Sequence, residues 1–207
     1  MTIRGLVFDF GGVIVNMRWD MAWKLEEEYG LERSALVRTL YDADDWRAVE
    51  TGAGDIEQWR QGAHERLEAR AGRGLPLLHQ QWRESWGPIE ENLALIRALR
   101  PPYRIAVLSN ADITLEERMR STELDRLFDD IVCSAAVGMA KPDPRIYALA
   151  ARRLALSVED CLFIDDAERN IVAAREAGMA AVHFRVHKGD SLADQLAEHG
   201  VVPDATL

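Results

Sequence analysis

An α/β fold, a parallel sheet covered by helices on both faces, is predicted for this 207-residue chain by three observations. Apolar, β-branched runs recur and each gives way to polar residues. Helical patterns separate these runs. One long stretch, 17–88, interrupts the alternation with helices alone. Sheets of this kind bind ligands outside the carboxyl ends of their strands, so the polar residues that follow the runs share one edge.

The first run, Ile3 to Phe10, is a buried strand entering the tight turn Asp9-Phe10-Gly11-Gly12. Arg104-Ile-Ala-Val-Leu leads into Ser109-Asn110, Cys161-Leu-Phe-Ile into Asp165-Asp166, and Ala180-Ala-Val-His-Phe into a polar stretch. Ile131-Val-Cys is a weaker run between the second and third of these. Helices are expected over Asn92–Arg100, stopped by Pro101-Pro102, and over Leu115–Phe128, Asp143–Leu154 and Asn170–Ala177, the last ended by Gly178. Within 17–88 no strand is expected. Helical segments lie around Trp19–Tyr29, Glu32–Asp42, Ile56–Ala71 and Pro76–Trp86, with a turn at Thr51-Gly-Ala-Gly-Asp55. All six tryptophans (19, 23, 46, 59, 82 and 86) fall in this stretch, as the core of a small helical bundle requires, with one or two placed to face the cleft. The tail after Val201 reads as loosely held.

A formal net charge of −10 with no Lys/Arg-rich run argues against nucleic acid and against an anionic membrane surface. The apolar burst at the N-terminus is broken by Asp9 and Gly11, too short for a signal segment or a spanning helix, so the cytoplasm is expected. The two cysteines, Cys133 and Cys161, read as buried free thiols.

The strand-end residues Asp9, Ser109, Asp165 and Asp166 carry the chemistry. Three carboxylates on one cleft repel one another unless a cation joins them. Oxygen ligands without His or Cys select a hard ion, and Mg²⁺ leaves coordination positions for water and phosphate oxygens. Lys141, in Met139-Ala-Lys-Pro-Asp-Pro144 before a helix, supplies the fixed positive charge that phosphoryl transfer requires. The five histidines form no ligand set, Arg145 reads as a helix-surface charge, and Asn170 ties down the acidic loop or starts the next helix.

Four segments, in order, resemble the haloacid dehalogenase-like hydrolases: Leu6-Val-Phe-Asp-Phe-Gly-Gly-Val13, Val107-Leu-Ser-Asn110, Lys141-Pro-Asp-Pro144 and Phe163-Ile-Asp-Asp-Ala-Glu-Arg-Asn170. The resemblance implies a Rossmann-like core of residues 1–16 and 89–207 with strand order 3-2-1-4-5, and a helical cap over 17–88. It implies Asp9 as a nucleophile that becomes an aspartyl phosphate, and Mg²⁺ held by Asp9, the Gly11 carbonyl, Asp166 and Asp165, the last directly or through water. It also implies phosphoryl oxygens held by Ser109 and the Asn110 backbone, with Lys141 neutralising the charge beside Asp9, and a small phosphorylated metabolite as partner of a monomer or homodimer.

One position departs from the family's phosphatases. The second Asp, two residues after the nucleophile, is Gly11 here, so the usual proton shuttle is missing, an effect worth roughly 10²–10⁴ in rate. A branch with Asp-x-Gly at this position resembles this chain most and includes the bacterial α-D-glucose-1-phosphate phosphatase. Its anomeric leaving group needs little acid assistance. Asp112 is a substitute acid to examine. A metal-independent haloacid dehalogenase and a non-catalytic binding or regulatory protein are the alternatives. The dehalogenases lack an acidic pair like Asp165-Asp166, and a non-catalytic protein has no use for so costly a charge cluster.

Overall fold

The computed structural model describes residues 2–204. In chain order its elements are β1 (Gly5–Phe8), β2 (Val15–Asn16), α1 (Trp19–Glu28), α2 (Ala35–Tyr41), α3 (Asp44–Glu50), α4 (Ile56–Ala71), α5 (Leu78–Glu84), β3 (Gly87–Pro88), α6 (Glu90–Ala98), β4 (Arg104–Ser109), α7 (Leu115–Ser121), β5 (Asp130–Cys133), α8 (Ser134–Val137), α9 (Pro144–Arg153), β6 (Cys161–Asp165), α10 (Glu168–Glu176), β7 (Ala180–His183) and α11 (Leu192–Glu198).

Five strands pair in parallel in the order β5-β4-β1-β6-β7. Numbered along the chain within the sheet, this is the expected 3-2-1-4-5. Leu6, Phe8, Ile105, Val107, Leu162 and Ile164 point to one face, against α6, α7 and α11. Val7, Ala106, Leu108, Cys161 and Phe163 point to the other, against α9 and α10. Burial of both faces explains why these strands read as continuous apolar runs rather than alternating ones. The register puts Phe8 opposite both Val107 and Ile164, so Asp9, Ser109 and Asp165 leave the sheet at one edge.

The helices α1 to α5 pack around a hydrophobic cluster of their own, built on Leu36, Leu40, Trp59, Leu67, Leu78 and Trp82. Asp55 caps α4 by accepting a hydrogen bond from the Gln58 N–H (2.9 Å), and Gly72, in the left-handed region at φ 66°, ends it. Three local expectations are corrected. Residues 15–16 and 87–88 form a short antiparallel pair at the two ends of the helical segment, although no strand was expected near it. Helix α3 falls where no helix was expected, because only Trp46 and Val49 of its seven residues are buried, too few to show a period. The expected helix over 115–128 breaks after Ser121, where the Ser121 and Thr122 hydroxyls bond back to Arg118 and Met119 carbonyls and Glu123 turns left-handed. Both cysteines are buried and free. Of the tail, Val201 is buried and residues 202–204 are exposed, while 205–207 lie outside the described residues. No helix among the described residues is long and apolar enough to cross a membrane.

Within this cluster His79 is buried, its Nε2 2.8 Å from the Thr39 hydroxyl. Burial first, and then the nearby His64, Arg66 and Arg83, depress its pKa to about 4. The unfolded chain protonates His79 near its ordinary 6.5, so between these values the unfolded state holds the extra proton. Stability therefore falls as pH drops from about 6.5 towards 4, by at most on the order of 3 kcal/mol for this one group. Thermal midpoints at pH 7 and pH 5 are expected to differ less in His79→Gln than in the wild type. An unchanged difference would assign the pH dependence to other groups.

Candidate active site

The turn after β1 is shaped by two glycines. Gly12 adopts φ +77°, and a Cβ there would lie 2.2 Å from Asp166 Oδ2, so only glycine lets the first and fourth motifs approach this closely. Gly11 has ordinary backbone geometry, and a Cβ on it would meet only Met17 Sδ, at 2.9 Å.

Lys141 is the hub of the site. Its Nζ lies 2.6 Å from Asp165 Oδ2 and 2.9 Å from Asp9 Oδ1, and donates to the Leu108 carbonyl at 3.0 Å. Burial works against its charge, but Asp165 and Asp9 outweigh it and hold the ammonium above its ordinary pKa. The Asn110 side chain clamps the Lys141 backbone, accepting from its N–H and donating to its carbonyl, both at 2.8 Å. Lys141 is thereby positioned from both ends. The same Asn110 amide donates to Glu50, at the end of α3, at 3.0 Å, and burial raises the Glu50 pKa.

Asp9, Asp165 and Asp166 each offer an oxygen within 4.8 Å of the others. Desolvation raises the pKa of Asp9 and of Asp166, and the mutual repulsion of the three carboxylates adds to it. In the fully ionised form that a cation would stabilise, three carboxylates against one ammonium leave two negative charges uncompensated. An all-oxygen donor set with that deficit fits a divalent hard cation. Asp165 is fully buried and already accepts hydrogen bonds from Lys141, the Ala167 N–H (2.8 Å) and Asn170 Nδ2 (3.0 Å). Asn170 therefore ties down the acidic loop. Asp166 borders the cavity. The Ser109 hydroxyl also borders it and has no protein partner among the described residues, so it is free to donate to a ligand.

The structure thus brings together Asp9, Gly11, Ser109, Asn110, Lys141, Asp165 and Asp166. It does not support Asp112 as an acid. Burial alone would raise its pKa, but the Thr114 hydroxyl and Arg118, 2.9 Å away, hold it below the ordinary range, so it carries no proton to give. Arg145 pairs with Asp143 at the exposed start of α9. Sequence reasoning missed Glu50, Tyr41 and Arg83, which come from the helical segment and carry no motif. It also set aside His183, whose Nε2 lies 2.9 Å from the Asp166 carbonyl oxygen and holds the acidic loop. Its place at the end of the strand beside Asp165 was the available signal.

A cavity of about 780 Å³ opens over this edge between the sheet and the helical segment. Trp19, Tyr41, Trp46, Trp59 and Trp86 line its helical side. Four tryptophans therefore face the cleft, more than expected, while Trp59 and Trp82 are also fully buried core.

Comparison with known proteins agrees with this geometry. A phosphatase of Mycobacterium tuberculosis is 29% identical over 196 residues, covering 87% of each chain. A haloacid dehalogenase family enzyme of Bacteroides thetaiotaomicron, solved with magnesium and inorganic phosphate, superposes with TM-score 0.62 at 21% identity over 87% of this chain and 93% of its own. An L-2-haloacid dehalogenase superposes with TM-score 0.68 at 24% identity over 87% and 86%. The family model for haloacid dehalogenase-like hydrolases matches residues 3–178. With four motifs converging at one sheet edge and that match over most of its length, the chain belongs to the haloacid dehalogenase-like hydrolases.

Proposed function

We propose that this hydrolase is a Mg²⁺-dependent phosphatase of a small phosphomonoester, working in a reducing compartment such as the cytoplasm, with residues 17–88 as its cap. The observation that carries the reading is the buried Asp9–Lys141–Asp165–Asp166 cluster with its two uncompensated negative charges. The Mycobacterium relative, named a phosphatase, and the magnesium and phosphate of the Bacteroides enzyme support it.

Asp9, the Gly11 carbonyl and Asp166 would hold the cation, with Asp165 oriented beside them by Asn170. Bound there, Mg²⁺ supplies neutralising charge to the phosphoryl group. An Asp9 carboxylate oxygen bonds to phosphorus as the ester P–O bond breaks, and the leaving oxygen takes a proton from solvent water. Water then attacks the aspartyl phosphate, which releases inorganic phosphate and restores Asp9. Ser109 and the Asn110 backbone hold phosphoryl oxygens. Lys141 balances the charge that gathers beside Asp9.

No side chain at position 11 protonates the leaving group, which favours substrates whose leaving oxygen departs readily. Sugar phosphates esterified at the anomeric oxygen, such as glucose 1-phosphate, meet that condition. Gly11→Asp restores the missing acid, and only the flexible Met17 side chain must yield to it. In that variant, alkyl phosphates are expected to gain roughly 10²-fold in kcat/KM and aryl phosphates little. The check is the slope of log kcat/KM against leaving-group pKa, which flattens if the proton limits turnover.

The function itself is tested by phosphate release from an aryl phosphate and a sugar-phosphate panel, with Mg²⁺ and with EDTA. Mg²⁺-dependent release supports the proposal. Halide release from 2-chloropropionate without metal would instead make the chain a dehalogenase. Neither activity on any substrate would favour a binding protein.

A further inference from the structure

The cavity holds a second polar cluster that the chemistry at Asp9 does not use. Tyr41 at the end of α2, Arg83 on α5, Asp112 after β4 and Arg118 on α7 all line it. Asp112 and Arg118 form an ion pair at 2.9 Å, and the Arg118 guanidinium also donates to the Thr114 hydroxyl. Arg83 is half-buried and makes no hydrogen bond or ion pair among the described residues. Its guanidinium lies 5.5 Å from the centroid of the Trp86 ring, whose own indole N–H is buried without an acceptor. The Tyr41 hydroxyl, within electrostatic reach of both arginines and Asp112, is likewise without a hydrogen-bond partner among the described residues. Two guanidinium groups against one carboxylate leave one positive charge uncompensated, and burial lowers the Arg83 pKa accordingly.

A desolvated cation without a partner is costly, and a bound anion offsets that cost. A guanidinium fork matches a planar carboxylate through two parallel hydrogen bonds. A second phosphate group would bring about two charges at neutral pH and exceed the single charge available. We propose that the substrate's leaving group carries a carboxylate and that Arg83 receives it, with Trp86 and Tyr41 enclosing the body of the leaving group. This rests on the phosphatase reading and narrows it to phosphate esters of hydroxy acids, sugar acids included. Arg83 also borders a smaller cavity beside α4, so the test must read an effect on turnover at Asp9.

The experiment compares kcat/KM within two matched pairs, glucuronate 1-phosphate against glucose 1-phosphate and 4-carboxyphenyl phosphate against phenyl phosphate. Wild type, Arg83→Gln, Arg83→Lys and the exposed control Arg126→Gln are each assayed. In at least one pair the acid is expected to be favoured roughly ten- to hundredfold, the range of a charged hydrogen bond. That ratio falls to about one in Arg83→Gln, is partly kept by Arg83→Lys and is untouched by Arg126→Gln. No preference for the acid in either pair, or a preference that survives Arg83→Gln, overturns the proposal. If no phosphate is released from any substrate, the phosphatase reading fails first. The subsite is then decided by calorimetric titration with 4-hydroxybenzoate and phenol. Tighter binding of the acid that Arg83→Gln abolishes sustains the subsite, and equal binding of the two ends it.

Discussion

Asp9→Asn is expected to lower phosphate release by at least about four orders of magnitude, the scale of losing a nucleophile, without lowering the thermal midpoint. The two halves of this result have separate causes. Asparagine matches the size of aspartate but offers no charged oxygen to phosphorus. Stability holds because the ionised Asp9 carboxylate is already disfavoured where it sits, first by burial and also by Asp165, with Lys141 and the Phe10 N–H opposing. Removing its charge relieves repulsion among the three acids while it weakens one of the two ion pairs of Lys141. A midpoint that falls together with activity would show that Asp9 serves the fold. Full activity in the variant would remove Asp9 from the chemistry altogether. Acid-quenched wild type incubated with labelled substrate is expected to carry the phosphoryl label on Asp9, and the variant none.

Lys141→Met is expected to harm both stability and turnover. Lys141 is buried at 4% exposure and contacts two of the three carboxylates, so its loss leaves charges facing one another in a desolvated site. Breaking a buried pair in this way costs about 3–5 kcal/mol. With the acids ionised, the variant leaves three negative charges uncompensated where the wild type leaves two, so added Mg²⁺ is expected to raise its thermal midpoint by more than it raises that of the wild type. Turnover falls even with Mg²⁺ present, by roughly 10²–10³ for a lost electrostatic donor. Midpoints indifferent to Mg²⁺ in both proteins would mean that the acidic trio is no cation site.

The sheet was legible because its strands are buried on both sides and end in polar residues, so runs such as 104–109 and 161–165 mark both the strand and the functional edge. The acids at those ends were legible for the same reason. The other wall of the cavity was not. Tyr41, Glu50 and Arg83 come from short amphipathic helices whose sequence pattern records only which residues are buried, and their meeting with Asn110 and Asp112 depends on tertiary packing. The charge of Lys141 beside Asp9 was expected from its motif, but its contact with Asp165 and the clamp on its backbone were not. That its backbone is clamped by Asn110, and Asn110 in turn by Glu50, joins residues 31 and then 60 positions apart.

The placement of every tryptophan between residues 19 and 86 has a spectroscopic consequence. The sheet contains no indole, so selectively excited tryptophan fluorescence reports on the helical segment alone, while far-ultraviolet circular dichroism reports on the whole chain. Denaturation followed by the two signals side by side distinguishes one cooperative unit from two. Coincident curves mean that the two hydrophobic clusters of the sheet and the cluster of the helices melt together. An earlier fluorescence transition means that the segment roofing the cavity loosens while the strands that carry Asp9 and Asp165 stay folded.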